Sequence, residues 1–229
     1  TMLISGGSRD YRGKGASNNH IAELLHPDTG ALTPVADPTV GRDYHTEALL
    51  LPDGLVASAG GGLCGEGCAA NHPDLQILTP WYLYNADGSA ATRPVITAAP
   101  AAAEYGQMLA VEADGEVDRL VLIRLSSTTH TVNNDQRRIP LTFRTTGTNT
   151  YTVDIPSNPG IALPGLYMLF ALNAEGTPSV ARIVRIGTDT TARIVPVGDQ
   201  AAAVGSPAAL SITGSVPAGG AITWSATGL

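Results

Sequence analysis

Lysine is almost missing from this chain. Of its 13 basic residues 12 are arginines, scattered over 229 positions, and the one dense basic pair is Arg137-Arg138. A nucleic-acid surface is normally a basic patch or stripe, so with a net charge of −7 no nucleic-acid partner is expected. Charged residues are also scarce, at 14% against roughly 25% for an average soluble domain. That scarcity argues against coiled coils, charged helical bundles and solvated tails. Long apolar runs are absent too. Stretches such as Leu120 to Ile123 fall far short of the roughly 18 residues that a spanning helix needs, so no membrane span is expected.

What the chain has in quantity is turn chemistry, with 26 Gly and 16 Pro, beside a hydrophobic fraction of 43% that can fill a core. Short apolar segments between turn residues predict an all-β protein. Thr1 to Gly7 reads as a short strand closed by a Gly pair. Leu49 to Ala59, followed by Gly60-Gly61-Gly62, repeats that pattern about fifty residues later. Between them, Ala22 to Leu32 reads as strand, Pro-Asp-Thr-Gly turn and strand. Leu75 to Tyr84 supplies the later strands of the second copy, with Trp81 and Tyr82 starting a strand. A strand, Gly-Gly, strand, turn, strand order with this period resembles kelch propeller repeats. Residues 1–91 are therefore expected to be the C-terminal blades of a kelch-type β-propeller.

Residues 92–187 have a different texture. Ala98 to Ala103 reads as a connection. Strands are then expected at 107–111, 119–125, 138–144, 150–155, 165–173 and 179–186, the pattern of an Ig-like β-sandwich. Residues 188–229 read as a polar linker and a truncated second Ig-like module, with Trp224 in its unfinished core. The chain begins and ends inside strand patterns, so an internal fragment is expected and the missing secretory signal is uninformative.

Cys64 and Cys68 lie in a Gly-rich loop. They can close a small disulfide, which implies an oxidising compartment, or supply half of a metal site that has no second Cys pair. Two of the five histidines stand out. His45 follows Tyr44 at the start of a strand, where neighbouring side chains point to opposite faces unless the chain bends. His130 lies in a polar run of about twelve residues between two sandwich strands, longer than a simple reversal needs. Two imidazoles and a phenolate form a set that suits Cu(II). The same histidines also read as solvated loop residues or hydrogen-bonded core residues. His72 reads as structural, and His20 and His26 as loop and turn residues. Asp135 and Arg137, with Arg138, either fix the His130 loop or form a solvated charge cluster.

Several longer strings carry a family resemblance. They are Tyr44-His45-Thr46 with Leu51-Pro52-Asp53-Gly54, Gly60 to Gly65, Asn71-His72, Ile77 to Pro80, Thr129 to Asn133, Asp135 to Leu141 and Leu163 to Phe170. In this order, over about residues 1–187, the chain resembles the C-terminal part of the copper radical oxidases, which include galactose, glyoxal and alcohol oxidases. The resemblance implies a seven-bladed propeller joined to an Ig-like domain whose loop reaches the propeller channel. By motif, Tyr44 is the axial tyrosine and general base, and His45 and His130 are equatorial copper ligands. Cys64 and Cys68 match the family's disulfide pair with one extra residue between them. The implied substrates are a primary alcohol, an aldehyde or a sugar, with O2 becoming H2O2, and the implied location is extracellular or the cell surface. The family's Cys–Tyr radical cofactor is expected upstream, so the chain alone is expected to be inactive. The competing reading is a non-catalytic kelch and Ig carbohydrate-binding or adhesion module. Retention of Tyr44, His45 and His130 together argues against it.

Overall fold

A computed structural model describes residues 1–8, 19–62, 66, 71–129, 132–187, 193–194, 211–215 and 223. Cys64, Cys68, His130 and most of 188–229 lie outside the described residues, and with them the expected disulfide, one expected ligand and the second Ig-like module. The described chain is all-β apart from short turns.

Two three-stranded antiparallel sheets come first. One holds β1 (Met2–Ser5), β2 (Ala22–His26) and β3 (Ala31–Pro34) in that order. The other holds β4 (Glu47–Leu50), β5 (Val56–Ala59) and β6 (Leu75–Leu78). The Gly repeat is a repeat of geometry. β1 runs into Gly6 and Gly7 at φ +71° and +94°, and β5 runs into Gly60 and Gly61 at +82° and +102°. The segment Leu49 to Ala59 is a hairpin arm, turn and strand, not one strand. Beyond β6 the expected further strand is replaced by one 3₁₀ turn, Trp81–Leu83. Pro80 opens that turn with its fixed φ. Trp81 is exposed, and Leu83 is the residue that buries.

The second half is a sandwich of two sheets. One has the order β13 (Arg138–Leu141), β10 (Arg119–Arg124), β16 (Gly165–Leu172), β17 (Arg182–Ile186), β8 (Ala102–Ala103). The other has β14 (Phe143–Gly147), β15 (Thr150–Asp154), β9 (Met108–Ala113), β7 (Ile96–Ala98). Strict alternation in β9, with Leu109, Val111 and Ala113 buried, gives one sheet its inner face. Leu120, Leu122, Tyr167, Leu169, Val184 and Ile186 face it from the other sheet in a single core cluster. Two expectations change here. The run read as one strand over 138–144 crosses between the sheets, splitting at Thr142 into β13 and β14. Ala102–Ala103 is no mere connection, because it pairs in parallel with β17 and closes that sheet's edge. β11 (Thr128–Thr129) and β12 (Val132–Asn133) form a small hairpin. Far along the chain, β18 (Arg193–Ile194) pairs with β19 (Gly214–Ser215).

The second three-stranded sheet is fastened to the sandwich. Leu50 packs on the outer-face cluster of Val121, Met168 and Phe170. Ala181 N–H donates to the Pro52 carbonyl at 2.8 Å. The Arg93 guanidinium donates to the carbonyls of Pro178 and Ser179 at 2.8 and 2.7 Å. Beside it, Tyr82 Oη donates to the Gly54 carbonyl at 2.6 Å. Burial pushes the Tyr82 phenol up to about 12, partly opposed by Arg93 and reinforced by Asp53. An unfolded tyrosine ionises near about 10. The folded state therefore holds the proton more tightly, and this contribution is full below about pH 10 and declines as pH rises towards about 12. Denaturation at stepped alkaline pH is expected to show that decline, and Tyr82→Phe is expected to flatten it. An equal slope in both proteins would contradict the assignment.

Candidate metal centre

The segment Arg42–Thr46 enters β4 as a tight turn tied at several points. Arg42 and Asp43 are buried, at 1% and 0% exposure, which two charged residues tolerate only with partners. Arg42 donates through one terminal nitrogen to the Gly60 carbonyl at 2.7 Å and through the other to Asp74 Oδ2 at 3.0 Å. Asp43 Oδ1 accepts from Gly62 N–H at 2.7 Å. Thr46 Oγ1 donates back to the Asp43 carbonyl at 2.6 Å, closing the turn. Gly60, Gly61 and Gly62 form the wall beneath it. A Cβ on Gly60 would run into the His45 carbonyl oxygen, and one on Gly61 would lie 3.2 Å from the His72 ring. Gly6 of the first sheet leans on the same turn, where a Cβ would come within 2.9 Å of Thr46 Cγ2.

This turn resolves the orientation problem. His45 adopts φ +60°, the left-handed region that non-glycine residues enter rarely. Tyr44 and His45 consequently do not point to opposite faces. Their rings lie side by side, 3.9 Å between centroids and tilted by 30°. Both are half-buried. Backbone held in a sparsely populated region beside reactive side chains is a common mark of a functional site.

The loop that contains His130 is anchored at its base. Asp135 pairs with Arg124, not with the adjacent arginines. Arg124 N–H donates to the Arg137 carbonyl at 3.1 Å. Arg137 reaches the carbonyls of Gly160 and Ile161 at 3.1 and 3.2 Å, and Arg138 is exposed on β13. Asn133 Nδ2 donates to Ser126 Oγ and Gln136 Oε1 at 2.8 and 3.1 Å. Below the loop, Tyr167 Oη donates to the Leu163 carbonyl at 2.7 Å, and burial raises its phenol above the ordinary value. The hairpin β11/β12, whose strands flank residues 130–131, lies against β4. That strand begins two residues after His45.

A phenol and an imidazole held side by side fit two positions of a copper(II) site, given the nitrogen and oxygen preference of that ion. Among the described residues no group of three His, Cys, Asp or Glu side chains forms a complete ligand set. His72 packs by Gly61 and bonds through its backbone N–H to the Gly61 carbonyl, as a structural residue would. His20 and His26 bond locally to the Pro38 carbonyl and to Thr33 Oγ1. The residues that sequence reasoning passed over are Arg42, Asp43, Asp74 and Arg124. The signal available was an Arg-Asp pair directly before Tyr-His, with three consecutive glycines less than twenty residues on.

Comparison with known proteins follows the same lines. Residues 93–186 match the family described as galactose oxidase-like, early set domain. The sandwich is thus an early set domain of the galactose oxidase type. The chain is 42% identical over 187 residues to a galactose oxidase of Gibberella zeae, covering 81% of this chain and 27% of that protein. It is 36% identical over 162 residues to an aldehyde oxidase of Vitis pseudoreticulata, covering 65% of this chain and 30% of that one. Among solved structures it is similar to a fungal alcohol oxidase of the AA5 family in complex with copper. That match has a TM-score of 0.76 and 41% identity, over 81% of this chain and 40% of the other. The chain spans about a quarter to a third of the length of these curated relatives. The resemblance to the galactose and glyoxal oxidase group, read from motifs, stands.

Proposed function

We propose that this chain is the C-terminal portion of a secreted copper radical oxidase, one that converts a primary alcohol or aldehyde with O2 to the oxidised product and H2O2. On this reading residues 1–91 are kelch-like blades and 92–187 the Ig-like domain. The observation that carries the reading is the side-by-side placement of Tyr44 and His45. The hairpin around residues 130–131, seated on β4, supports it by bringing a second-domain loop to the same strand.

Tyr44, His45 and His130 would hold the copper. Bound there, the ion would acidify a coordinated alcohol and take up an electron. Tyr44 Oη then accepts the hydroxyl proton, the general-base step that needs hydrogen-bond reach and a suitable pKa. His45 and His130 keep the site in register, and the Asp135–Arg124 and Arg137 contacts support the His130 loop. On this reading the three side chains hold the ion and supply the base, and peroxide formation is a property to be tested separately from copper binding.

Copper titration followed by EPR tests the ligand assignment. His45→Ala and His130→Ala are each expected to weaken Cu(II) binding by more than about 100-fold, beyond the roughly 10–100-fold that losing an outer-shell partner costs. Each should also remove one nitrogen from the coupling pattern. Unchanged binding and spectra in both variants would sink the assignment.

A further inference from the structure

Asp43 is fully buried and only half satisfied. Its Oδ1 accepts from Gly62 N–H at 2.7 Å, while Oδ2, also buried, has no hydrogen-bond partner among the described residues. An unpaired buried carboxylate oxygen is costly, so its presence calls for a reason. The residue sits immediately before Tyr44. Its carboxylate ties the turn forwards to the glycine wall, and its own carbonyl receives Thr46 Oγ1 at 2.6 Å from the other side of His45. Tyr44 and His45 are the two central members of a four-residue turn stapled at Asp43 and Thr46. The left-handed His45 backbone that brings the two rings together depends on that staple.

We propose that Asp43 is a positioning residue for the copper site, its carboxylate pinning the turn so that Tyr44 and His45 present to the same ion. The proposal rests on the copper reading above. It goes beyond that reading by giving a role to a residue that touches neither ion nor substrate. Nearby charge is consistent with it. Arg42 pairs with Asp74 at 3.0 Å, so the residue before Asp43 is anchored as well.

The test uses the full chain loaded with Cu(II) and read by EPR and by copper affinity. Asp43→Ala is expected to lower affinity about tenfold or more and to split the single copper signal into a mixture. Asp43→Asn keeps an acceptor for Gly62 N–H and is expected to restore a single species with the parent's coupling pattern. A merely structural role would lower the melting temperature of the metal-free chain without that spectral rescue. Thr46→Val cuts the other half of the staple with little change in shape. It is expected to give the same mixed signal, and it keeps the test decisive should Asp43→Ala not fold. Parent-like spectra in Asp43→Ala or Thr46→Val, or an Asp43→Asn signal no cleaner than that of Asp43→Ala, overturn the proposal. His45→Ala is the separate check on the copper reading. If it leaves the copper signal untouched, that reading falls and this inference falls with it.

Discussion

Replacing Gly60 by alanine is expected to abolish copper binding at the Tyr44–His45 turn and to destabilise the second sheet. Two costs combine at this position. Gly60 sits at φ +82°, and a left-handed backbone costs a residue with a Cβ about 1–3 kcal/mol. The new Cβ also meets the His45 carbonyl oxygen, with the His45 carbonyl carbon and Thr46 Cα close behind. These are backbone atoms of the turn itself, so they give way only if His45 moves. Gly88 provides a matched control. It has the same φ of +82° but nothing within 4 Å of a Cβ. Gly88→Ala therefore carries the backbone cost alone and should leave copper affinity unchanged. Equal copper binding in the two variants would show that the glycine wall does not set the His45 geometry.

The value of the glycine wall also shows what the sequence could and could not reveal. Composition and turn spacing were enough for an all-β chain, because Gly and Pro punctuate short apolar runs and those runs have no helical period. The strands expected at 107–111 and 150–155 fall within two residues of the observed Met108–Ala113 and Thr150–Asp154. The failures have local causes. Pattern alone does not register a strand that changes sheets, so the split at Thr142 was invisible. Two alanines carry little β signal, and Ala102–Ala103 becomes a strand only because the β17 edge is there to receive it. Trp81 and Tyr82 look like strand residues by type, but Pro80 opens a 3₁₀ turn there and Tyr82 Oη donates across to the Gly54 carbonyl.

At the site the residue types were legible and their convergence was not. Tyr44-His45 stood out as a motif, yet strand geometry would have sent the rings apart. The bend comes from long-range bonds, Arg42 to Gly60 and Asp74, and Asp43 to Gly62, which span eighteen to more than thirty positions. Asp135 and Arg137 read from sequence as either fixing the His130 loop or forming a solvated charge cluster, with no partner indicated. The sheet offers Asp135 a partner in Arg124 from the neighbouring strand. In each case the partner was set by which segments pack together, which a single sequence encodes only indirectly.

The other large effect separates the two faces of one strand. β16 is buried on both sides, with Tyr167, Leu169 and Ala171 in the sandwich core and Met168 and Phe170 in the outer cluster that receives Leu50. Leu169→Ala empties space in the core, at a cost of about 2–5 kcal/mol. In a domain of this size that lowers the melting temperature by about 10–40 °C. Phe170→Ala is a comparable deletion, about 3–5 kcal/mol where the site cannot collapse, but it falls on the seam with β4. Its loss should appear locally, as faster hydrogen exchange through β4, β5 and β6 while β9, β10 and β15 stay protected. Because β4 carries the Tyr44–His45 turn at one end and the β11/β12 hairpin against its side, loosening the seam should also weaken copper binding without removing a ligand. Leu169→Ala, measured well below its melting temperature, should leave copper affinity near the parent value. If both variants instead exchange uniformly and lose copper in proportion to stability, the seam is not a separate unit, and the sheet and sandwich unfold as one.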